Sequence, residues 1–303
     1  MNFTHLAAFH AVLETGSVTA AAERLHVSQP ALTREIRTLE ERLGLTLFDR
    51  LPRGMQPTEA GRLLAGFASQ IFKLADSAET ALAELGGLAR GQLAVAASRT
   101  TGDYLLPPLL AEFRRRHPGI ALSVEVANTE GVQARLLALD CQLGLVEGPV
   151  DEQAFERRGL GRDDIVAVVA PGHALAVAGP VTAAQLNAAE LVLREPGSGT
   201  REVVEQAYAE QDLPLQPRLT IGSPEAIKQL LQAGDAVSWV SHRSVAAELA
   251  QGTLVTLPVQ GLRISREFAL IWRRGHSLSP SAQALCALAL AAQGTSPAPM
   301  LAP

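Results

Sequence analysis

The chain has 303 residues, of which 47% are apolar and 19% charged. That is a globular composition spread over two or three domains and not a disordered one. No run of about 20 apolar residues free of charge occurs, so no membrane span is expected, and the opening MNFTHLAAFHAVLETG lacks the basic start and long apolar run of a secretory signal. The two cysteines, Cys141 and Cys286, are far apart without metal-ligand spacing, which points to a reduced, cytoplasmic setting and to no metal site. The formal net charge is −5, from 26 basic and 31 acidic residues. Taken over the whole chain this argues against nucleic acid, whose electrostatic footprint on a protein is a basic patch.

Residues 1–58 read as short helices followed by a turn-rich segment. Leu6, Phe9, Val12 and Leu13 share helical spacing, Gly16 can end that helix and Ser17 can cap the next. The second helix, Val18 to Leu25, is alanine-rich, and His26-Val27 makes a tight connection. Ser28 then caps a third helix, Pro30 is tolerated in its first turn, and Gly44 ends it. Leu32, Ile36, Leu39 and Leu43 fall on one face of that helix, with Gln29, Pro30, Thr33, Arg34 and Arg37 away from it. Leu47–Arg50 and Met55-Gln56 read as two short strands around the turn Leu51-Pro52-Arg53-Gly54. Three helices followed by a basic hairpin make an all-α winged helix-turn-helix.

From Thr58 to residue 88 no proline interrupts the chain. Ala60, Leu64, Phe67, Ile71, Leu74, Ala78, Ala81 and Leu85 alternate spacings of four and three, a heptad seam suited to dimerisation. The alternative is a helix packed on its own domain. Gly86-Gly87 marks a hinge-like boundary. Residues 90–303 alternate strand and helix patterns, with strands at 92–97, 121–127, 142–146, 165–170, 191–194, 219–222 and 237–240. That alternation implies mostly parallel sheets covered by helices, in two α/β lobes. The tail, 294–303, is rich in Pro, Ala and Ser and is expected to be disordered.

A helix-turn-helix reads the major groove with the N-terminal end of its second helix. Here that end carries Ser28, Gln29, Pro30, Thr33, Arg34 and Arg37. Gln can pair with adenine, Arg with guanine, and Thr can touch a thymine methyl. Arg50 and Arg53 on the wing can reach phosphate or an adjacent minor groove. Charge counted locally removes the first objection. Residues 1–58 hold six arginines and six acids, four of the arginines lie on these contact surfaces, and the whole deficit falls in residues 59–303, with 20 basic and 25 acidic residues.

Residues 1–88, carrying GSVTAAAERLHVSQPALTREIRTLEERLGLTLFDR and the following PTEAG, resemble LysR-type transcriptional regulators without a gap. The α/β remainder fits that family's effector-binding domain, which is similar in fold to periplasmic solute-binding proteins. The resemblance implies a winged helix-turn-helix at 1–58, a dimerisation linker helix at 59–88 and a two-lobed effector domain at 90–303, with lobe I at 90–162 and 267–295 and lobe II at 163–266. It implies a homo-oligomer, commonly a tetramer, that binds double-stranded promoter DNA, answers to a small-molecule effector, works with RNA polymerase and needs no cofactor.

Three strand–turn–helix junctions can present polar helix starts to one cleft: Ala97–Gly102, Glu195–Arg201 and Gly222–Glu225. Exposed N–H groups, hydroxyls and the helix dipole at such starts favour an anion, and ligands of open α/β sheets bind outside the carboxyl ends of the strands. GSGTR combines two glycines, two hydroxyls and an arginine but lacks the lysine of a Walker A loop, so no nucleotide is implied. Ser98, Thr100, Thr101 and Thr200 match the family's effector-lining positions, and Ser198 and Ser223 extend the set on the residues alone. LVEGP (145–149), REPGSGTR (194–201) and GSPEAIKQLLQAG (222–234) are similar to the branch of sulfur-assimilation and carbon-fixation regulators, which implies an oxyanion or carboxylate effector. Glu147 ends a strand near the cleft. It can pair with Arg194 or Arg201, meet a protonated ligand, or face away.

Other classes have less to stand on. A thiol redox sensor needs an accessible thiol of low pKa, whereas Cys141 opens an apolar strand and Cys286 lies in an apolar helix. An enzyme would need a metal cluster, a nucleophile elbow or a catalytic histidine spacing, and none is evident. A solute-binding protein would share the cleft but not the DNA-reading unit.

Overall fold

The computed structural model describes residues 1–51, 54–88, 90–177 and 179–293. Arg53 and the tail 294–303 lie outside them. The chain divides into two units, Met1–Ala78 and a second beginning at Glu79.

In the first unit, α1 (Phe3–Thr15) is capped by Asn2, whose side chain accepts from the His5 N–H at 2.8 Å, and ends at Gly16, where φ is +64°. Ser17 caps α2 (Val18–Arg24). The chain then turns through His26, which takes the left-handed conformation with φ +54°, and Val27 N–H closes the turn on Ala22 O at 3.0 Å. Ser28 caps α3 (Gln29–Leu43), Pro30 sits in its first turn, and Gly44 ends it with φ +67°. Leu32, Ile36 and Leu39 of α3 join Leu6, Phe9 and Val12 of α1 in one core. The strands β1 (Phe48–Leu51) and β2 (Gly54–Pro57) pair antiparallel. Glu40 organises the start of this wing by accepting from the N–H groups of Leu47 at 2.7 Å and Phe48 at 3.4 Å. Met55 N–H reaches Gly16 O at 2.9 Å, and a Cβ at Gly54 would lie 2.5 Å from that same oxygen, so only glycine lets the wing come this close.

The helix α4 (Glu59–Glu84) runs through the segment expected to carry the seam, and it corrects that seam in part. Ala60 and Leu64 do not face outward. With Ala65, Phe72 and the fully buried Ala68 they pack on the first unit's own core. The exposed apolar stripe is instead Leu63, Phe67, Ile71, Leu74, Leu82 and Leu85. A straight helix at 3.6 residues per turn drifts against a heptad, so one seam cannot keep the same heading over four repeats. One face of nearly the first four turns, to Phe72, is taken by the domain core, and the stripe that stays open runs beside it.

The second unit opens with β3 (Gly91–Ser98), α5 (Arg99–Tyr104) and α6 (Leu106–Arg116), then β4 (Ile120–Ala127), α7 (Thr129–Leu137) and β5 (Leu143–Glu147). The strand β6 (Phe155–Val169) follows, then α8 (Ala183–Ala188), β7 (Glu190–Leu193), α9 (Gly199–Ala209), β8 (Leu219–Thr220), α10 (Pro224–Ala233) and β9 (Ala236–Ser241). The unit finishes with α11 (Ala246–Gln251), β10 (Val255–Leu257), β11 (Ile264–Arg273) and α12 (Pro280–Gln293). The nine strands form one sheet in the order β4-β3-β5-β11-β6-β9-β7-β8, with β10 beside β6.

Its two ends are parallel, as the strand–helix alternation predicts: β4-β3-β5 on one side and β9-β7-β8 on the other. The middle is antiparallel. The long strands β6 and β11 pair with each other, β11 with β5 and β6 with β9, so the two α/β lobes share these strands. Sequence reading finds only the last third of β6, because the first ten residues, FERRGLGRDD, are largely charged, carry two glycines and do not alternate. A Cβ at Gly159 would lie 2.5 Å from Glu267 Oε1 on β11, the end of a flexible side chain that can move aside. Each lobe has its own core. Leu93, Phe113, Leu143, Leu270 and Leu285 belong to the first, and Leu186, Leu193, Tyr208, Val237 and Trp239 to the second. The carboxylate of Glu84, 1% exposed, accepts from the N–H and hydroxyl of Ser281 at 2.9 Å each and closes the start of α12.

Candidate DNA-contact face and effector cluster

In the first unit, Ser28, Gln29, Pro30, Arg34 and Arg37 are exposed along the N-terminal half of α3, and Thr33 is half-buried. The Ser28 hydroxyl accepts from Ala31 N–H at 3.4 Å, so it acts as the helix cap. Arg37 pairs with Glu41 at 2.9 Å. Arg50 is exposed on β1. The helix end therefore presents an amide, an aliphatic ring and a guanidinium outward from a packed apolar face, an arrangement able to enter a major groove.

In the second unit the ends of β3 and β5 and the start of α9 converge. Ser98, Thr100, Thr101, Glu147, Ser198 and Thr200 are each at most 4% exposed. Thr101 Oγ1 lies 2.8 Å from Ser98 Oγ and donates to Leu145 O at 2.8 Å. Ser98 donates to Glu147 Oε2. Thr129 Oγ1 donates to Glu147 O at 3.0 Å and accepts from Gly199 N–H at 3.3 Å, which draws the start of α9 against the end of β5. A Cβ at Gly199 would lie 1.9 Å from Glu147 O, so the second glycine of GSGTR permits this approach.

The residue that joins these parts is Arg266, on β11, which sequence reading passed over. Its side chain is fully buried. Nη1 donates to Thr200 Oγ1 at 2.7 Å and Nη2 to Thr100 Oγ1 at 3.1 Å. Nε and Nη2 both donate to Asp163 Oδ2, and Nη1 lies 3.3 Å from Glu147 Oε1. Asp163 Oδ1 accepts from Ser241 Oγ at 3.0 Å. A signal existed: along Ile264–Phe268 the buried residues alternate, and Arg266 falls on the buried phase between Ile264 and Phe268.

Glu147 thus faces the cluster. It meets Arg266 and Ser98, while Arg201 bonds Glu205 and the carbonyl of Arg194. Arg194 bonds Glu195 through Nε and Nη2. Burial pushes the Glu147 carboxyl above its ordinary range, and the nearby Arg266 and Arg194 offset this in part. Ser198 begins α9 without capping it, and its buried hydroxyl has no hydrogen-bond partner among the described residues. Ser223 stands apart: half-buried, it caps α10 by accepting from Ala226 N–H at 3.3 Å. Both cysteines are buried and free, and burial pushes the Cys141 thiol up to about 12 and raises that of Cys286, the opposite of a reactive thiolate. Among the described residues no group of three or more His, Cys, Asp or Glu could hold a metal ion, and no helix is long and apolar enough to cross a membrane.

The comparisons with known proteins cover both units. Residues 3–62 match the family model for the bacterial regulatory helix-turn-helix protein, lysR family, and residues 86–294 match the LysR substrate binding domain. A RuBisCO operon transcriptional regulator of Allochromatium vinosum is 35% identical over 284 residues, 94% of each chain. The structure of the Synechocystis CcmR regulatory domain in complex with 2-PG is 29% identical, with TM-score 0.63, covering 69% of this chain and 100% of that one. Full-length CbnR complexed with its target DNA is 26% identical, with TM-score 0.65, covering 96% and 99%. These relatives are regulators and not enzymes, so the enzyme alternative falls. The chain belongs to the LysR family of transcriptional regulators, in the branch that resembles the regulators of carbon fixation.

Proposed function

We propose that this regulator binds promoter DNA through the exposed start of α3 and through the wing, with Gln29, Thr33, Arg34 and Arg37 toward the bases and Arg50 and Arg53 toward the backbone. In this reading residues 1–58 form the DNA-binding module and 59–88 the helix that joins copies of the chain along the stripe from Leu63 to Leu85. Residues 90–303 form the sensor, divided into lobes at 162/163 and 266/267. The protein works in the cytoplasm with RNA polymerase as its partner.

The effector is a small anion bound between the lobes, in contact with Ser98, Thr100, Thr101, Glu147, Ser198, Thr200 and, at the outer edge, Ser223. One observation carries this. Arg266 spans the cluster, bonded at once to Thr100 at the start of α5 and Thr200 at the start of α9. A guanidinium fork matches a carboxylate or phosphate in two parallel bonds. An anion here gains the Ser198 hydroxyl, which has no partner among the described residues, and the N-terminal dipole of α9. It also meets Glu147, whose neutral form does not repel it. All but the half-buried Ser223 are buried within the closed cluster, so entry requires the lobes to part about β6 and β11. The 2-PG complex of the CcmR domain supports the ligand class.

The test is titration calorimetry of the full chain with 2-PG and a panel of small phosphates and carboxylates, followed by footprinting on the chain's own upstream DNA with and without the ligand that binds. Saturable binding that changes the footprint supports the reading. A panel that binds without altering DNA contacts, or a footprint that Arg34→Ala leaves unchanged, rejects it.

A further inference from the structure

Gly86 and Gly87 follow the last residue of α4 by two and three positions, and both are exposed. Gly87 takes φ +119° and Leu88 φ +57°, so the chain turns sharply here. Two glycines in an exposed turn leave the backbone free to pivot. The N–H groups of Gly87 and Leu88 return to Glu84 O at 3.1 Å each, which ends the helix but ties it to nothing beyond the turn.

The Glu84 side chain supplies the tie. It is 1% exposed, and its carboxylate accepts from the N–H and hydroxyl of Ser281 at 2.9 Å each, 197 residues further along the chain. The last turn of α4 is thereby bonded across the two glycines to the first turn of α12, where the helix dipole favours a negative charge. The surroundings hold this contact in place. Ser279 Oγ lies 3.0 Å from Ser281 Oγ, and Ser279 N–H donates to Gln142 Oε1 at 3.1 Å. Gly91, at the start of β3, passes so near that a Cβ would lie 2.8 Å from Glu84 Cγ. Leu88 packs on the core of the first lobe. Glu84 is not needed merely to begin α12. Ser279 already serves there as the local cap, accepting from Ala282 N–H at 3.3 Å.

We propose that Glu84 is a positioning residue that locks the Gly86-Gly87 hinge, so that the last turn of α4 cannot swing free of the first lobe. The consequence rests on the reading that winged units carried on α4 bind promoter DNA together. With the hinge locked, the assembly accepts one spacing of its DNA subsites. With the hinge free, each α4 pivots and the assembly accepts several.

The test measures affinity of the full chain for its own upstream site and for the same site with about half a helical turn of DNA, ~5 base pairs, inserted at the middle of the footprint. The parent should lose about 100-fold on the insert, the avidity forfeited when the winged units cannot all engage at once. Glu84→Ala should bind the unaltered site within a few-fold of the parent and lose less than about tenfold on the insert. Glu84→Gln keeps an acceptor for Ser281 N–H and should discriminate as the parent does. A role in stability alone lowers the melting temperature of Glu84→Ala but leaves its spacing preference intact, and that result overturns the proposal. So does a parent that accepts the insert, or a Glu84→Ala variant that loses both sites together. If Glu84→Ala fails to fold, Ser281→Ala decides, since it removes one of the two bonds and should relax the spacing preference in part; unchanged discrimination there rejects the lock. Arg34→Ala on the unaltered site reports separately on the DNA-binding reading.

Discussion

Arg266 and Asp163 stand directly opposite each other on β11 and β6, and the arginine's Nε and Nη2 donate to one carboxylate oxygen at 2.9 and 2.8 Å. Both side chains are at most 1% exposed. The pair lies between the part of β11 that pairs with β5 and the part of β6 that pairs with β9, where one lobe passes into the other.

Breaking this pair from one side leaves a buried charge alone. Arg266→Met or Asp163→Leu is expected to cost about 3–5 kcal/mol each. The double variant recovers most of that loss, because apolar groups of similar volume replace both charges. Calorimetric unfolding of the three proteins tests the coupling. If the two single losses simply add in the double variant, the residues do not act as a pair.

Thr100 and Thr200 bring Arg266 its only hydroxyl partners among the described residues, one from each lobe. Thr200→Val keeps the shape of the side chain and removes the oxygen. It is expected to weaken effector binding about tenfold, the size of one hydrogen bond to a charged group. Binding to promoter DNA in the absence of effector should be retained, since Thr200 lies in the second unit. Equal calorimetric affinity in the variant and the parent places the ligand elsewhere.

Glu147 shares Arg266 with Asp163, and one guanidinium cannot neutralise two buried carboxylates equally. The closer contacts go to Asp163, and burial raises the Glu147 carboxyl above its ordinary 4.5. A group with a raised folded-state pKa contributes stability that is fully present below its unfolded value and is lost as pH rises through the folded one. Glu147→Gln stays neutral throughout and still offers an acceptor to Ser98. Its advantage in melting temperature over the parent should therefore widen as pH rises from 4.5 toward the alkaline side. A gap that stays constant over that range means that Glu147 titrates as an exposed glutamate does.

How much of this was legible in the sequence differs from element to element. The winged unit is read nearly residue by residue, because its helix boundaries carry local caps and stops: Ser17 or Ser28 at the start, Gly16 or Gly44 at the end. The hydroxyl junctions are also local, and their residues are visible before their neighbours are known. Arg266 is not, because its role comes from Asp163, 103 residues away, and from Thr100, 166 residues away. Glu40 is similar: nothing in its helix tells that it receives the backbone of the wing. Ser223 is the reverse case, a junction as promising as the other two whose hydroxyl is used as a plain helix cap.

On the DNA face, Arg34 is exposed on α3 and forms no ion pair among the described residues, whereas Arg37 is held by Glu41. Arg34 is the freer of the two to meet a base. Arg34→Ala is expected to lose about 1–3 kcal/mol at the specific site, with the fold unchanged by circular dichroism. Footprinting on specific and scrambled DNA separates the two kinds of contact. A uniform loss on both sequences would make Arg34 a phosphate ligand instead of a base reader.

The two faces of α4 give opposite outcomes for residues one position apart. Leu63 is 69% exposed and Phe67 62% exposed, while Leu64 packs on the core around Phe9 and Leu39. An exposed apolar stripe of this length marks an interaction surface. A charge placed on it should dissociate the oligomer and leave the winged unit folded, so Phe67→Glu and Leu74→Glu are expected to yield smaller assemblies by sedimentation with unchanged helicity. Leu64→Glu buries an unpaired charge in the core and should instead unfold the first unit, with a loss of several kcal/mol. If Leu64→Glu dissociates the chain without unfolding it, the seam runs where the heptad count first put it. If neither Phe67→Glu nor Leu74→Glu changes the assembly, the copies meet through the second unit.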